Sequence, residues 1–125
     1  MVKSIIYTLV AAALCAGFFI FTEIYVSQQF SYVYGAAEEL YLKVEEGEAT
    51  ASDAEAVSLL WEDKKSKLHV FIPHNDIAQI DYYLTEAGGH IRDGEYGLAL
   101  SKLEVVKHLA LSLPSAYSVR LENVF

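Results

Sequence analysis

The sequence predicts an all-α protein, in which an N-terminal transmembrane helix is followed by an antiparallel four-helix bundle built from two helical hairpins. Three observations carry this expectation. Residues Ser4 to Thr22 contain no Asp, Glu, Lys, Arg or His. Beyond them, apolar residues recur every three or four positions in four successive segments. Those segments are separated by glycine, proline or small polar residues, and no period-two alternation competes as strand.

The apolar run is about 19 residues, which as a helix spans roughly 28 Å and matches a bilayer's hydrocarbon core. Lys3 precedes it, Glu23 follows it, and Tyr7 and Tyr25 stand near its ends, where amphipathic rings favour the headgroup level. A cleaved signal peptide is the rival reading. Cleavage after Ala11, Ala12 and Ala13 would leave an apolar stretch of only about 7 residues before the cut. It would also leave Phe18, Phe19, Ile20 and Phe21 on the mature chain. Cys15 is preceded by Leu14, where a lipoprotein acceptor requires a small residue. The run therefore reads as an uncleaved anchor, with Cys15 packing within the bilayer.

Orientation follows from the bases beside the run. Lys3 lies on the N side, whereas the next base on the other side, Lys43, is outside the window over which Lys and Arg resist translocation. Residues 1–3 are thus expected in the cytoplasm, residues 4–22 in the membrane, and residues 23–125 outside as a helical bundle domain. Of the 9 bases only Lys3 precedes the bundle, so the outer part carries 8 bases against 17 acids, a net of -9. This charge argues against nucleic acid as a partner. The high apolar and aromatic content argues against disorder. A single cysteine excludes a disulfide framework and a Cys-rich zinc site.

In the first bundle segment, Val26, Phe30, Val33, Ala37, Leu40 and Val44 fall on one helical stripe, so the anchor helix is expected to continue into the bundle as far as Gly47. If that stripe stayed exposed in the folded bundle it would favour homo-oligomerisation, and its burial would favour a self-contained monomer. Ser52 with Glu55 reads as a capping box that opens the second helix. That helix is expected to bury Val57, Leu60, Trp61, Leu68 and Phe71 and to end at Pro73. Asn75 or Asp76 is expected to cap the third, whose stripe is Ile77, Ile80, Leu84, Ala87 and Ile91. Asp93 and Gly94 form a turn.

The fourth helix runs from about Glu95 to Leu113 on Tyr96, Ala99, Leu103, Val106, Ala110 and Leu113. Leu98, Leu100, Val105, Leu109 and Leu111 widen the stripe so far that the helix is expected to be largely buried, and Pro114 is expected to close it. Tyr117 to Phe125 is too short to be helical alone and is expected to dock onto the rest. Gly47-Glu48 recurs as Gly94-Glu95 about 47 residues later, each pair between two expected helices, a faint internal echo between two similar hairpins.

Candidate chemistry is sparse. His69, His74, His90 and His108 lack the spacing of three or four that sets two metal ligands on one helical face, so no metal site is expected. Neither a hydrolase, zinc-protease, P-loop nor dinucleotide signature is present, and Cys15 in the bilayer cannot meet a histidine; no catalytic residue and no cofactor are expected. Glu45, Glu46 and Glu48 lack the alternating pattern of a calcium loop and read as a solvated acidic end. Lys64, Lys65 and Lys67 complement the macrodipole of the second helix.

Gly88 and Gly89 are costly inside a helix, at about 1 kcal/mol each relative to alanine. They imply either close helix approach or a deformable groove opposite Tyr82 and Tyr83. Tyrosine is also frequent where a surface is recognised. Tyr82, Tyr83, Gly88, Gly89, His74 and Trp61 are therefore the candidate partner-binding residues.

The layout that begins Met-Val-Lys-Ser-Ile-Ile-Tyr, the stretch from Trp61 to Asp81, and the ending Leu-Glu-Asn-Val-Phe from Leu121 together resemble the bacterial family 4363 of domains of unknown function. Trp61, Lys64, Leu68, Phe71, His74, Ile80 and Asn123 to Phe125 match its recurrent pattern, while Pro73 and the Gly88-Gly89 pair depart from it. The resemblance implies a small single-pass protein of spore-forming and related Gram-positive bacteria, encoded beside membrane proteins of a second family, number 421. It implies no activity. The combined expectation is a non-enzymatic accessory protein, anchored in the lipid bilayer by residues 4–22, that presents its bundle to a membrane-protein partner. The alternative is an extracytoplasmic bundle that senses a ligand or cation between its helices.

Overall fold

Four α-helices make up the described chain: α1 Val2–Glu45, α2 Ala51–Leu68, α3 His74–Arg92 and α4 Tyr96–Val124. In this computed structural model the backbone is described for residues 1–124 and the side chains for residues 1–116. The 44 residues of α1 form a rod of about 66 Å, roughly twice the thickness of a hydrocarbon core. Its two halves differ in what covers them. Every side chain from Met1 to Phe21 is exposed, and this half is long and apolar enough to cross a membrane by length and composition. In the other half Val26, Phe30, Val33, Ala37, Leu40 and Val44 are all buried.

The second half of α1 packs against α2 and α4, and α3 closes the other side against the same two helices. Successive helices are antiparallel, so the bundle is of the up-down-up-down kind. Phe30, Trp61, Leu68, Ile77, Ile80, Leu103 and Val106 fill its interior. The α1 stripe is consumed within this core and is not left for a second copy of the chain. Gln29 is the one polar residue of the buried set, and its side-chain oxygen finds no partner among the described residues.

The first helix of each hairpin ends in the same way. After Glu46, Gly47 turns left-handed at φ 71°, its N–H donates to the Val44 carbonyl, and the Glu48 N–H donates to that of Lys43. After Asp93, Gly94 does the same at φ 76°, with bonds to Ile91 and, from the Glu95 N–H, to His90. This double bond across a left-handed residue is the Schellman end, which glycine adopts without a Cβ penalty. The echo between the two Gly-Glu pairs is thus one helix stop used twice. Tyr96 Oη ties the two stops together by donating to the Ala49 carbonyl at 3.2 Å.

Several boundaries differ from expectation. The capping box is formed by Thr50 and Asp53, not by Ser52 and Glu55: Thr50 Oγ1 accepts from the Asp53 N–H, and the Thr50 N–H donates to Asp53 Oδ2. Ala49 is buried behind the Gly47 stop, which leaves Thr50 as the extended residue from which the helix starts. At its other end α2 stops at Leu68, before Pro73 is reached, so Phe71 lies half-buried in the turn and Leu60 is only half-buried. Pro73, at φ -55° and ψ 143°, precedes α3 as its N-cap. Its carbonyl takes the Asp76 and Ile77 N–H groups, so Asn75 and Asp76 are first-turn residues and not caps.

Pro114 does not close α4, which runs through it to Val124. Proline has no N–H for the Ala110 carbonyl and disfavours helix at the residue before it, yet Leu113 is held in the core. Ser115 Oγ donates to the neighbouring Leu111 carbonyl. The expected docking of Tyr117 to Phe125 concerns side chains outside the described residues. Nor is α4 buried all round. Ala99, Leu103, Val106, Ala110 and Leu113 face the core, but Leu98 and Leu111 are exposed, because α4 packs mainly on α1 and α3 and these two neighbours cover one broad face.

Candidate partner-binding surface

The six candidate residues do not converge on one site. Trp61 is 2% exposed, and its indole N–H donates to Asp81 of α3. Lys65 Nζ lies 3.2 Å from the other oxygen of the same carboxylate, so Asp81 receives both a neutral and a charged donor. Burial works against the Lys65 charge, but Asp81 and Glu62 outweigh it and raise the amine above its ordinary value. The tryptophan is thereby committed to the joint between α2 and α3.

Tyr83 is half-buried and lies beneath Lys102 of α4, whose Nζ is 5.5 Å from the ring centroid and 2.9 Å from Glu86. Tyr82 precedes it on the helix and points outward at 67% exposure. Gly88 and Gly89 lie higher on α3, where Gly88 faces Ala54 of α2. A Cβ built on Gly88 would stand 3.6 Å from Arg92 Nη1 and 3.9 Å from the Ala54 Cβ, and one on Gly89 would stand 3.9 Å from Arg92 Nη2. These are ordinary contacts, so close backbone approach does not require either glycine. Gly88 lines an open groove of about 360 Å³ with Ala51, Ala54, Glu55, Ser58, Leu84, Thr85 and Arg92. Neither Tyr82 nor Tyr83 lines it. His74 is exposed at the opposite end of the bundle, at the first residue of α3.

The tyrosine surplus has an internal use that sequence reading missed. Lys64 of α2 sits 4.6 Å from the Tyr32 ring of α1. Lys107 of α4 sits 4.1 Å from the Tyr41 ring of α1. With Lys102 over Tyr83, three lysines thus bridge helices over aromatic faces. Each is also beside a carboxylate: Lys64 by Asp63, Lys102 by Glu86, Lys107 by Glu38. Lys43 pairs with Asp53, Lys65 with Asp81 and Lys67 with Asp63. All six lysines beyond Lys3 are therefore neutralised inside the bundle, while Glu39, Glu45, Glu46, Glu48, Glu55 and Asp93 stay exposed. Lys64 and Lys67 reach Asp63 within α2, but the pairs of Lys43, Lys65, Lys102 and Lys107 join different helices, which sequence spacing could not show.

A second groove of about 230 Å³ lies between α1 and α2, lined by Ala36, Glu39, Leu40, Lys43, Asp53, Ala56, Val57 and Leu60. The small residues Ala36 and Ala56 leave this space, and the 3.0 Å Lys43–Asp53 pair spans it. Among the described residues no group of three or more His, Cys, Asp or Glu side chains is placed to hold a metal ion. His69 and His74 are exposed at the two ends of the α2–α3 turn, His108 is exposed on α4, and His90 lies 3.6 Å from Glu95. Cys15 is exposed on the apolar half of α1.

Comparison with curated proteins and with solved structures finds no match. A long apolar helix continuous with a small four-helix bundle is the arrangement to be set beside families of helical bacterial domains, and one of these covers most of the chain. The protein belongs to the family described as a domain of unknown function (DUF4363), whose profile matches residues 21–124.

Proposed function

We propose that the protein is a non-enzymatic accessory subunit, fixed in the membrane by residues 4–22, which holds an acidic helical bundle outside the cell against a membrane-protein partner. The observation that carries this reading is the continuity of α1. One helix supplies both the apolar rod and the buried stripe Val26 to Val44, so the bundle cannot tumble independently of its anchor and stands at a set height above the membrane. That geometry suits a protein that packs beside a neighbour in the same membrane.

The charge arrangement supports the same reading. With the lysines paired internally, the surface offered to a partner is acidic and carries isolated apolar points at Tyr82 and Leu59. Lys3 before the run and the absence of another base until Lys43 favour an inner N-terminus and an outer bundle.

The test is site-specific photocrosslinking in intact native cells. A photoreactive residue replaces Tyr82 in the C-terminally tagged full chain, and the adducts are identified by mass spectrometry after mild detergent extraction. A membrane protein joined at position 82, and not at the core position 61, is the expected result. Recovery of the chain alone or only with itself overturns the reading. The groove beside Gly88, with Arg92 and Glu55 on its walls, favours ligand sensing as the second reading. Absence of thermal stabilisation across a broad metabolite and metal panel would count against it.

A further inference from the structure

The antiparallel pairing of α1 with α2 sets the height of the turn between α2 and α3. Going down α1 towards the apolar run, Lys43 meets Asp53, Tyr32 meets Lys64, and Tyr25 meets Phe71 edge-on with ring centroids 6.1 Å apart. Phe71 belongs to the turn of residues 69–73, so this turn stands level with Tyr25. Tyr25 is three residues beyond Thr22, where the uncharged run ends, a rise of about 5 Å along the helix. The interfacial layer on each side of a hydrocarbon core is itself roughly 5–7 Å thick. The turn is therefore held at the depth of that layer.

Its composition suits the location. Phe21, on the apolar half of α1, stacks on Tyr25 at 6.1 Å with the planes 19° apart. The contacts Phe21–Tyr25–Phe71 thus make an aromatic column that leads from the anchor into the turn. Val70 is 74% exposed, more than any other large apolar side chain of the described bundle, while its neighbours Leu68 and Ile72 are buried. A bundle end facing only water gains nothing by displaying Val70 beside a half-buried phenylalanine, whereas aromatic and apolar groups at the headgroup level are favoured. The nearby charges are of both signs: Lys67 on one hand, Glu23, Asp63 and Asp76 on the other. Charge therefore selects no anionic lipid.

We infer that the α2–α3 turn, through Val70 and Phe71, rests in the interfacial layer of the same bilayer that α1 crosses, giving the bundle a second, lipid-bound foot. This rests on the proposal that α1 is a membrane anchor. The occupant of the surface is the neutral lipid interface, because the surface is continuous with the anchor through Phe21 and Tyr25.

The test uses the full chain in phosphatidylcholine vesicles, with Cys15→Ser and one new cysteine labelled with an environment-sensitive fluorophore. The three label positions are Phe18→Cys in the anchor, Val70→Cys in the turn and Glu48→Cys at the far end of the bundle, all exposed. Doxyl-labelled lipid is the quencher. Strong quenching with blue-shifted emission at positions 18 and 70, and neither at 48, is the expected result, unchanged at high salt. Quenching at 18 without quenching at 70 overturns the inference and leaves the anchor standing. Quenching at all three positions also overturns it, since the bundle would then lie along the membrane. No quenching at 18 removes the anchor and the inference together.

Discussion

Lys107 Nζ lies 4.1 Å above the ring centroid of Tyr41, so the amine of α4 is held against an aromatic face of α1, while Glu38 Oε2 approaches it at 2.7 Å. The Glu38 hydrogen bond raises the lysine above its ordinary value against the opposing effect of burial. Burial and the Glu104 carboxylate push the Tyr41 hydroxyl upward. The lysine is 13% exposed at its side chain, well sheltered for a charge, and a cation–π contact in such a place contributes about 1–2 kcal/mol. Lys107→Gln is expected to destabilise the bundle by about that amount. The check is a urea denaturation curve of the full chain in mild detergent.

The Trp61–Asp81–Lys65 joint is expected to be more costly to break. Asp81→Ala leaves a buried indole N–H without its acceptor and Lys65 without its closest acid. A loss of about 1–3 kcal/mol is expected, since the orphaned donor carries its full desolvation cost. Trp61 is the single tryptophan, so its emission reports on this joint during unfolding.

Gly88→Ala is expected to stabilise. The added Cβ meets Arg92 and Ala54 at ordinary contact distances, and alanine improves helix propensity by about 0.5–1 kcal/mol. Thermal melts of Gly88→Ala and Gly89→Ala test this. Gain of stability with loss of the crosslinked partner would mark the glycines as part of an interaction groove; loss of stability would show that the helices need them.

The acid limb of stability is expected to involve Asp53. The Thr50 backbone bond, then the bonds from Lys43 and the Thr50 hydroxyl, hold its carboxyl below the usual carboxylate range. A group with a depressed folded-state value contributes stability that is fully present above the ordinary carboxylate pKa and is lost as pH falls through the depressed one. Melting temperature should therefore decline as the pH is lowered through that acid window. Asp53→Asn should flatten the decline, and an unchanged acid limb in that variant would count against the assignment.

Much of the fold was legible because it depends on spacing along one helix. The stripe from Val26 to Val44 and the stripe from Ile77 to Ile91 are buried as their periods imply, and Gly47 and Gly94 stop helices for the reason that glycine is used there. Local competition was harder to judge. Thr50 and Asp53 outcompete Ser52 and Glu55 because the helix start is dictated by the preceding Schellman turn. Pro114 fails to end α4 because the packing of Leu113 prevails over the local preference.

The surface was the least legible part. A half-buried Tyr83, a solvent-facing Tyr82 and a core Trp61 look alike as aromatic residues in a string. Which of them meets a lysine depends on the register between helices, as Lys102 over Tyr83 and Lys64 over Tyr32 show.

The most direct measurement on the central claim, an anchored bundle outside the cell, is cysteine accessibility in intact cells. With Cys15→Ser in the full chain, Glu48→Cys and Val2→Cys are each treated with a membrane-impermeant maleimide before and after permeabilisation, Lys3 being kept in both. Labelling of position 48 in intact cells, with position 2 labelled only after permeabilisation and the protein in the membrane fraction, is the expected result. Protection of position 48 until the membrane is opened, or a chain found outside the membrane fraction, would contradict it.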